Sequence, residues 1–173
     1  MDRKAMYKLS YGLFVLTARE DGKDNGCIIN TAIQAASEPN QLSICVNKAN
    51  YTHKAIMATG EFTVSILTES TPFSVFENFG FCSSRDNDKF AVYDNVPRGA
   101  NGVAYMPEFV NAFISGKVIS VVDCGTHSIF IADVTESKVI SDEASLTYAY
   151  YYEHIKPKKS TAPSAPGAPK RKV

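Results

Sequence analysis

The chain has 173 residues, with 18 Lys plus Arg against 18 Asp plus Glu, a length that suits one domain with its own core. Lys156, Lys158, Lys159, Lys170, Arg171 and Lys172 crowd the C-terminal stretch, so the rest is mildly acidic, which argues against a nucleic-acid-binding face. No apolar run approaches a membrane span, and Asp2, Arg3 and Lys4 leave no signal-peptide centre, so a soluble, cytoplasmic protein is expected.

Residues 11–17 are aromatic and β-branched and predict a first strand. Asp21-Gly22-Lys23-Asp24-Asn25-Gly26 is a turn signal, and Cys27-Ile28-Ile29 starts the returning strand of a hairpin. That strand is expected to continue through residues 30–37, where small and polar side chains let something lie close to the backbone. Glu38-Pro39-Asn40-Gln41 then turns the chain into a third strand, a meander in all. Leu42, Ile44 and Val46 alternate there with Ser43, Cys45 and Asn47, the period of a strand with one buried face.

The third strand ends at Asn47-Lys48-Ala49-Asn50. Asn50 is the expected N-cap of a helix that carries Ala55, Ile56 and Ala58 and closes at Gly60. Such a helix start aims unpaired N–H groups and a positive dipole end at the loop, and Lys48 and Thr52 beside it suit a phosphate. Most capped helices hold no ligand, so this stretch alone leaves the choice open.

Residues 61–68 alternate again as a strand. Ser70-Thr71-Pro72 starts a helix whose Phe73, Phe76 and Phe79 form an inward stripe up to Gly80. Residues 81–102 are irregular and rich in Asn, Asp and Gly, with Phe81, Phe90, Val92 and Tyr93 as buried-type residues that favour an ordered loop. Within it Ser83, Ser84, Arg85 and Lys89 offer hydroxyls, a guanidinium fork and an ammonium for a phosphate. The alternative is a solvated loop in which the cations pair with Asp86 and Asp88.

Residues 112–122 and 128–134 form a second hairpin around Asp123-Cys124-Gly125-Thr126-His127, and residues 137–140 read as a further short strand. The aromatic segment 146–152 suits core or dimer packing, or rings stacked on a planar ligand. The expected fold is mainly β, an antiparallel barrel or sandwich with a few short helices. Residues 1–155 make the domain, and residues 156–173 a disordered basic Lys, Pro and Ala tail.

Cys27, Cys45, Cys82 and Cys124 include no C-x-x-C pair and read as reduced, mostly buried thiols, with no metal site. His127 sits at a hairpin turn, either exchanging protons with a ligand at the barrel rim or without a role. His53 and His154 have no spacing for a metal pair. No G-x-G-x-x-G follows a strand, and neither a G-x-S-x-G elbow nor a Walker lysine is present. Rossmann dinucleotide enzymes, serine hydrolases and nucleoside triphosphatases therefore lose ground.

Four stretches in this order and spacing carry a family resemblance: Asn30-Thr31-Ala32-Ile33-Gln34-Ala35-Ala36-Ser37 with Pro39; Val46-Asn47-Lys48 with Asn50-Tyr51-Thr52; Gly60-Glu61-Phe62-Thr63-Val64-Ser65; and Phe81-Cys82-Ser83-Ser84-Arg85-Asp86-Asn87-Asp88-Lys89-Phe90, followed later by Thr126-His127-Ser128-Ile129-Phe130-Ile131. Over residues 6–152 the chain resembles the flavin reductase-like family of FMN-binding split β-barrels, most of all its flavoredoxin-like members and the flavin reductase domains fused to rubredoxin.

The resemblance implies an FMN whose isoalloxazine lies along Thr31, Ala32, Gln34 and Ala36. The phosphate would be held by Lys48, Asn50 and Thr52 on one side and by Ser84, Arg85 and Lys89 on the other, with Asn47 and Ser83 in the same two motifs. It also implies a homodimer with the flavin at the interface, and places His127 near the flavin as a candidate catalytic residue. NAD(P)H is the implied co-substrate, with free flavin or a small redox protein as acceptor. A non-enzymatic FMN-binding electron carrier is the alternative. Two departures stand out: Ser84 where the family often has Gly, which alters backbone freedom, and no cysteine pairs for an iron centre.

Overall fold

The computed structural model describes residues 2–83, 85 and 87–158, and builds them around one seven-stranded antiparallel sheet. The strands are β1 (Phe14–Glu20), β2 (Lys23–Ile29), β3 (Ala32–Ser37), β4 (Asn40–Asn47), β5 (Glu61–Leu67), β6 (Val110–Asp123) and β7 (His127–Val139), in the order β2-β1-β5-β6-β7-β4-β3. Three short α-helices, α1 (Tyr51–Thr59), α2 (Phe73–Phe76) and α3 (Tyr148–Tyr150), flank the sheet among the described residues, with a 3-10 turn at Arg3–Lys8 and π-helical turns at Glu77–Phe81 and Tyr151–Ile155. The mainly-β antiparallel architecture is the expected one. The sheet curls, since one groove is lined by Phe14, Ala32, Leu42, Val64, Ile114 and Val134 from β1, β3, β4, β5, β6 and β7. Its terminal strands β2 and β3 do not pair, so the barrel is split.

That topology corrects the meander. Residues 27–37 are two strands rather than one, and Asn30-Thr31 carries the chain from one sheet edge to the other. Thr31 is pinned beside β4: its carbonyl accepts from Cys45 N at 3.1 Å and its hydroxyl donates to Cys45 O at 3.0 Å. Apolar alternation reports which face of a strand is buried but not which neighbour it pairs with. The β1–β2 turn is also tighter than expected. Asp21 (φ 51°) and Gly22 (φ 76°) alone make it, the paired left-handed residues of a type I′ hairpin.

Both faces of β1 are buried, because it separates two cores. Leu16 and Ala18 join Ile44, Val46, Phe62, Val64 and Phe130 inside the barrel, closed by Ala55 and Ile56 of α1. Leu13 and Val15 face outward onto Val75, Phe76, Phe79, Phe90, Met106, Leu146 and Tyr151. The predicted aromatic helix is shorter than its stripe: α2 passes into a widened π-helical turn at Glu77–Phe81, which still buries Phe79. Phe90 reaches beneath the irregular loop, whereas Phe81 and Val92 are 70% and 73% exposed, against expectation, because the loop lays only one side on the barrel. β7 runs unbroken to Val139 and absorbs the expected extra strand.

No helix among the described residues is long and apolar enough to cross a membrane. Residues 159–173, most of the expected tail, lie outside the described residues.

Candidate functional site

Strand β2, the start of α1 and the widened turn after α2 enclose a cavity of about 210 Å³, lined by Gly26, Cys27, Asn50, Tyr51, Thr52, Phe79, Cys82, Ser83 and Lys89 among others. Lys89 is 3% exposed, and its Nζ donates to Gly26 O at 2.8 Å and Phe79 O at 3.2 Å. Both acceptors are neutral carbonyls, and no ion pair among the described residues includes Lys89. Burial therefore pushes the ammonium below the usual lysine range, with the Cys27 and Cys82 thiols pulling the other way. An anion entering the cavity would supply the missing counter-charge.

The other walls suit the same visitor. Asn50 takes the N-cap position of α1 as expected, but its side chain makes no capping bond. Its side chain and the Thr52 hydroxyl both neighbour the Cys27 thiol at the cavity wall. Burial raises the Cys27 pKa, and these two contacts and the Lys89 charge oppose that rise. The first-turn N–H groups of α1 thus keep their positive dipole end toward the cavity. Gly60 closes the helix as predicted, left-handed at φ 72° with its N–H on Ile56 O at 2.8 Å. Gly26 is needed for close approach: a Cβ there would lie 2.9 Å from the Phe79 ring.

The expected phosphate clamp divides. Asn50, Thr52, Ser83 and Lys89 meet at the cavity. Arg85 lines a larger cleft next door, its guanidinium 5.9 Å from the Tyr51 ring centre, and Ser84 lies outside the described residues. Lys48 does not line this cavity. Its N–H donates to Thr126 O at 3.0 Å and its Nζ pairs with Asp123 at 2.7 Å, so the β6–β7 turn takes the side chain. That contact holds the exposed Asp123 carboxyl below its usual range. Asn47 and His127 sit in register at the same end, with Asn47 Oδ1 accepting from Ala49 N at 2.9 Å and His127 Nδ1 2.9 Å from the Thr126 hydroxyl.

The small-residue strand forms a third region. Ala32 and Gln34 line the 310 Å³ groove at the barrel end with Phe14, Ile66 and Ile114, and Gln34 Nε2 donates to Asn40 Oδ1 at 3.2 Å. Thr31 is bonded to Cys45 as described, and Ala36 lies beyond a bulge, opposite Gln41. Sequence reasoning missed Gly26, Cys27, Tyr51 and Phe79 as cavity walls. For Gly26 a signal exists, since glycine inside a strand pattern marks close approach, but Asn25-Gly26 equally fits the end of a turn. Among the described residues no three His, Cys, Asp or Glu side chains gather as a metal site.

Known proteins share this arrangement of elements. Residues 6–159 match the flavin reductase like domain family. The chain is 39% identical over 153 residues to the high molecular weight rubredoxin of Moorella thermoacetica, covering 88% of this chain and 66% of that protein, just under two thirds of its length. It is also 39% identical over 154 residues to the ferric-chelate reductase (NAD(P)H) of Archaeoglobus fulgidus, covering 88% and 89%. Among solved structures, the NADH:FAD oxidoreductase SgcE6 of Streptomyces globisporus C-1027 superposes with a TM-score of 0.75 at 20% identity, covering 84% of this chain and 85% of that one.

Proposed function

The chain belongs to the flavin reductase like family, and from that premise we propose that it is an FMN-dependent oxidoreductase, taking hydride from NAD(P)H and passing electrons to free flavin or a small redox protein. One observation carries the choice of cofactor: a buried ammonium, Lys89, whose hydrogen bonds among the described residues go to the neutral carbonyls of Gly26 and Phe79, in a cavity that also receives the start of α1. That is a cradle for one phosphate. Lys89 supplies charge to it, and Thr52, Ser83 and Asn50 supply hydrogen bonds that fix its orientation. Thr31, Ala32, Gln34 and Ala36 offer a strand of mostly small side chains on which a planar ring can lie, and His127 stands at the rim where a donor approaches.

The flavin, when bound, supplies the hydride-accepting and electron-passing chemistry, so the chain's own task is position and electrostatics. A homodimer with the flavin at its interface is supported by the apolar residues left bare on β3 and the outer half of β6. Ile33 is 67% exposed, Ile119 51%, Val121 42% and Val122 46%. The name of the Moorella relative supports a rubredoxin-like acceptor. Residues 1–155 form the domain and the basic residues after it a tail, in a protein of the cytoplasm.

Adding FMN to the purified chain, then NADH or NADPH anaerobically, tests the reading by absorbance. Retained yellow colour that bleaches with either donor is the expected result. Retained colour that bleaches only with a protein donor makes the chain a carrier, and failure to retain FMN overturns the cofactor assignment.

A further inference from the structure

Two segments far apart in the sequence are joined over the outer core. Leu13 N donates to Leu146 O at 3.1 Å, Gly12 pairs with Thr147 as a β-bridge, and Tyr148 N donates to Tyr11 O at 2.8 Å. The 3-10 turn at Arg3–Lys8 thereby shares a surface with α3 and the turn at Tyr151–Ile155, and Tyr7 comes within electrostatic reach of Tyr148. Its apolar part is bare: Tyr7 is 84% exposed, Met6 62%, Leu9 53% and Tyr152 49%. Its charged part is basic, because Lys4, Lys8, Lys156 and Lys158 are exposed and none of them makes an ion pair among the described residues. The acidic residues of the same segments have partners close by: Asp2 accepts from Lys4 N at 2.9 Å, and Glu153 lies 3.7 Å from His154. We propose that this aromatic and basic surface is the docking site of an acidic, rubredoxin-like electron acceptor; this rests on the reading that the chain passes electrons to a small redox protein.

The make-up of the surface carries the choice of occupant. Tyrosine and methionine are favoured at the centres of protein interfaces, whereas lysine belongs at the rim, where its charge steers the encounter. Unpaired lysines attract a partner of opposite charge and repel a second copy of the same face. The rings are also fixed in place. Tyr148 and Tyr152 meet edge to face at 4.9 Å between centres, with their hydroxyls 3.3 Å apart, and Tyr11 stands edge-on to Tyr148 at 6.3 Å. Lys156 Nζ lies 4.3 Å over the Tyr152 ring. A face set in advance suits a rigid protein at low ordering cost, while a lipid surface needs an apolar face free to sink below the headgroups.

The surface is continuous with the cavity wall. Tyr151, beneath Tyr148 and Tyr152, packs on Phe76 at 4.5 Å, Phe76 on Phe73 at 6.4 Å, and Phe73 on Phe81 at 6.1 Å. Phe81 lines the cavity around Lys89. A partner seated on these tyrosines therefore rests on the same packed rings that wall the proposed phosphate site.

The test follows an acidic rubredoxin, its binding by titration calorimetry and its reduction with NADH by loss of visible absorbance. The FMN-loaded full chain is compared with two variants at exposed positions: Lys156→Glu with Lys158→Glu, and Tyr7→Ser. Wild-type affinity should fall about tenfold as salt rises from about 0.05 to about 0.3 M. The charge-reversed chain should bind about tenfold more weakly and lose most of that salt dependence, and Tyr7→Ser about fivefold more weakly. Reduction of free flavin by NADH should stay within about twofold in both. Rubredoxin bound equally by all three chains, or by none, overturns the docking site. Free-flavin reduction that falls in step with rubredoxin reduction also overturns it, and so does a shift from dimer to monomer in sedimentation, which would give the face to a second copy. Binding of the wild-type chain to vesicles of phosphatidylcholine and phosphatidylserine, without binding of rubredoxin, gives the face to a lipid surface and overturns it as well. No reduction of free flavin by the wild-type chain overturns the underlying reductase reading instead, and the calorimetry still reads the docking.

Discussion

The cavity around Lys89 and the small-residue strand are opposite kinds of surface. In the cavity a buried lysine, a helix start and a glycine-permitted close approach are fixed by packing within one chain. On β3 most side chains face solvent, Ile33 among them, and the strand is a sheet edge. The contrast teaches that packing within one chain can fix a closed set of polar groups, whereas an open strand edge gains a second wall only from something laid against it.

The largest expected effect tests the closed half. Lys89→Met should weaken FMN by about 10- to 100-fold, the worth of a charge-assisted hydrogen bond. Riboflavin, which has no phosphate, should bind as before. Equal loss of both in fluorescence titrations would mean that Lys89 only supports the fold.

The open half is tested next by charging it. Ile33→Lys with Val121→Lys should shift the chain from dimer to monomer in equilibrium sedimentation. Riboflavin affinity should then fall about tenfold, as expected for lost stacking and apolar cover, with the unfolding transition little changed. A variant that stays dimeric would place the interface elsewhere.

A pH series sharpens the comparison further. The folded-state pKa of Lys89 is lowered by burial, so the unfolded chain holds that proton more tightly. Its contribution to stability without flavin therefore rises with pH in the window between the lowered value and the ordinary lysine value. FMN affinity falls across the same window as the charge disappears. Denaturant melts and FMN titrations taken at each pH should run in opposite directions, and the Lys89→Met variant should lose both trends.

The smallest effect belongs to Asn50. Because its side chain does not cap α1, Asn50→Ala should cost a few tenths of a kcal/mol in a melt, well below the ~1 kcal/mol of a working cap. The larger figure would show that the amide turns to the helix in solution.

The same contrast explains what the sequence disclosed. β4, α1 and Gly60 were legible because alternation, helical spacing and a left-handed glycine are local consequences of backbone geometry. The break between β2 and β3 was not, since Ile29 and Ala32 continue an apolar pattern while the chain changes sheet edge. Lys48 and Lys89 both looked like phosphate ligands. Their fates were decided by Asp123, which takes one, and by the carbonyls of Gly26 and Phe79, which bury the other. All three partners come from segments that local spacing cannot bring together. Gly26 itself was visible, but only as a turn residue.

The two-residue crossover at Asn30-Thr31 has a kinetic consequence. The hairpins β1–β2 and β3–β4 each pair neighbours in sequence, with little loop-closure entropy to overcome, and can form on the timescale of isolated hairpins, about 1–10 μs. They stand at opposite edges of the finished sheet, and only β5, β6 and β7 join them. The β4–β7 ladder, which matches Gln41 with Asp133, therefore has to await the synthesis and pairing of the last hairpin. Until it forms, the β1–β2 hairpin that carries Gly26 and the β3 edge are tethered but independent, so the cavity and the small-residue strand come into register late in folding.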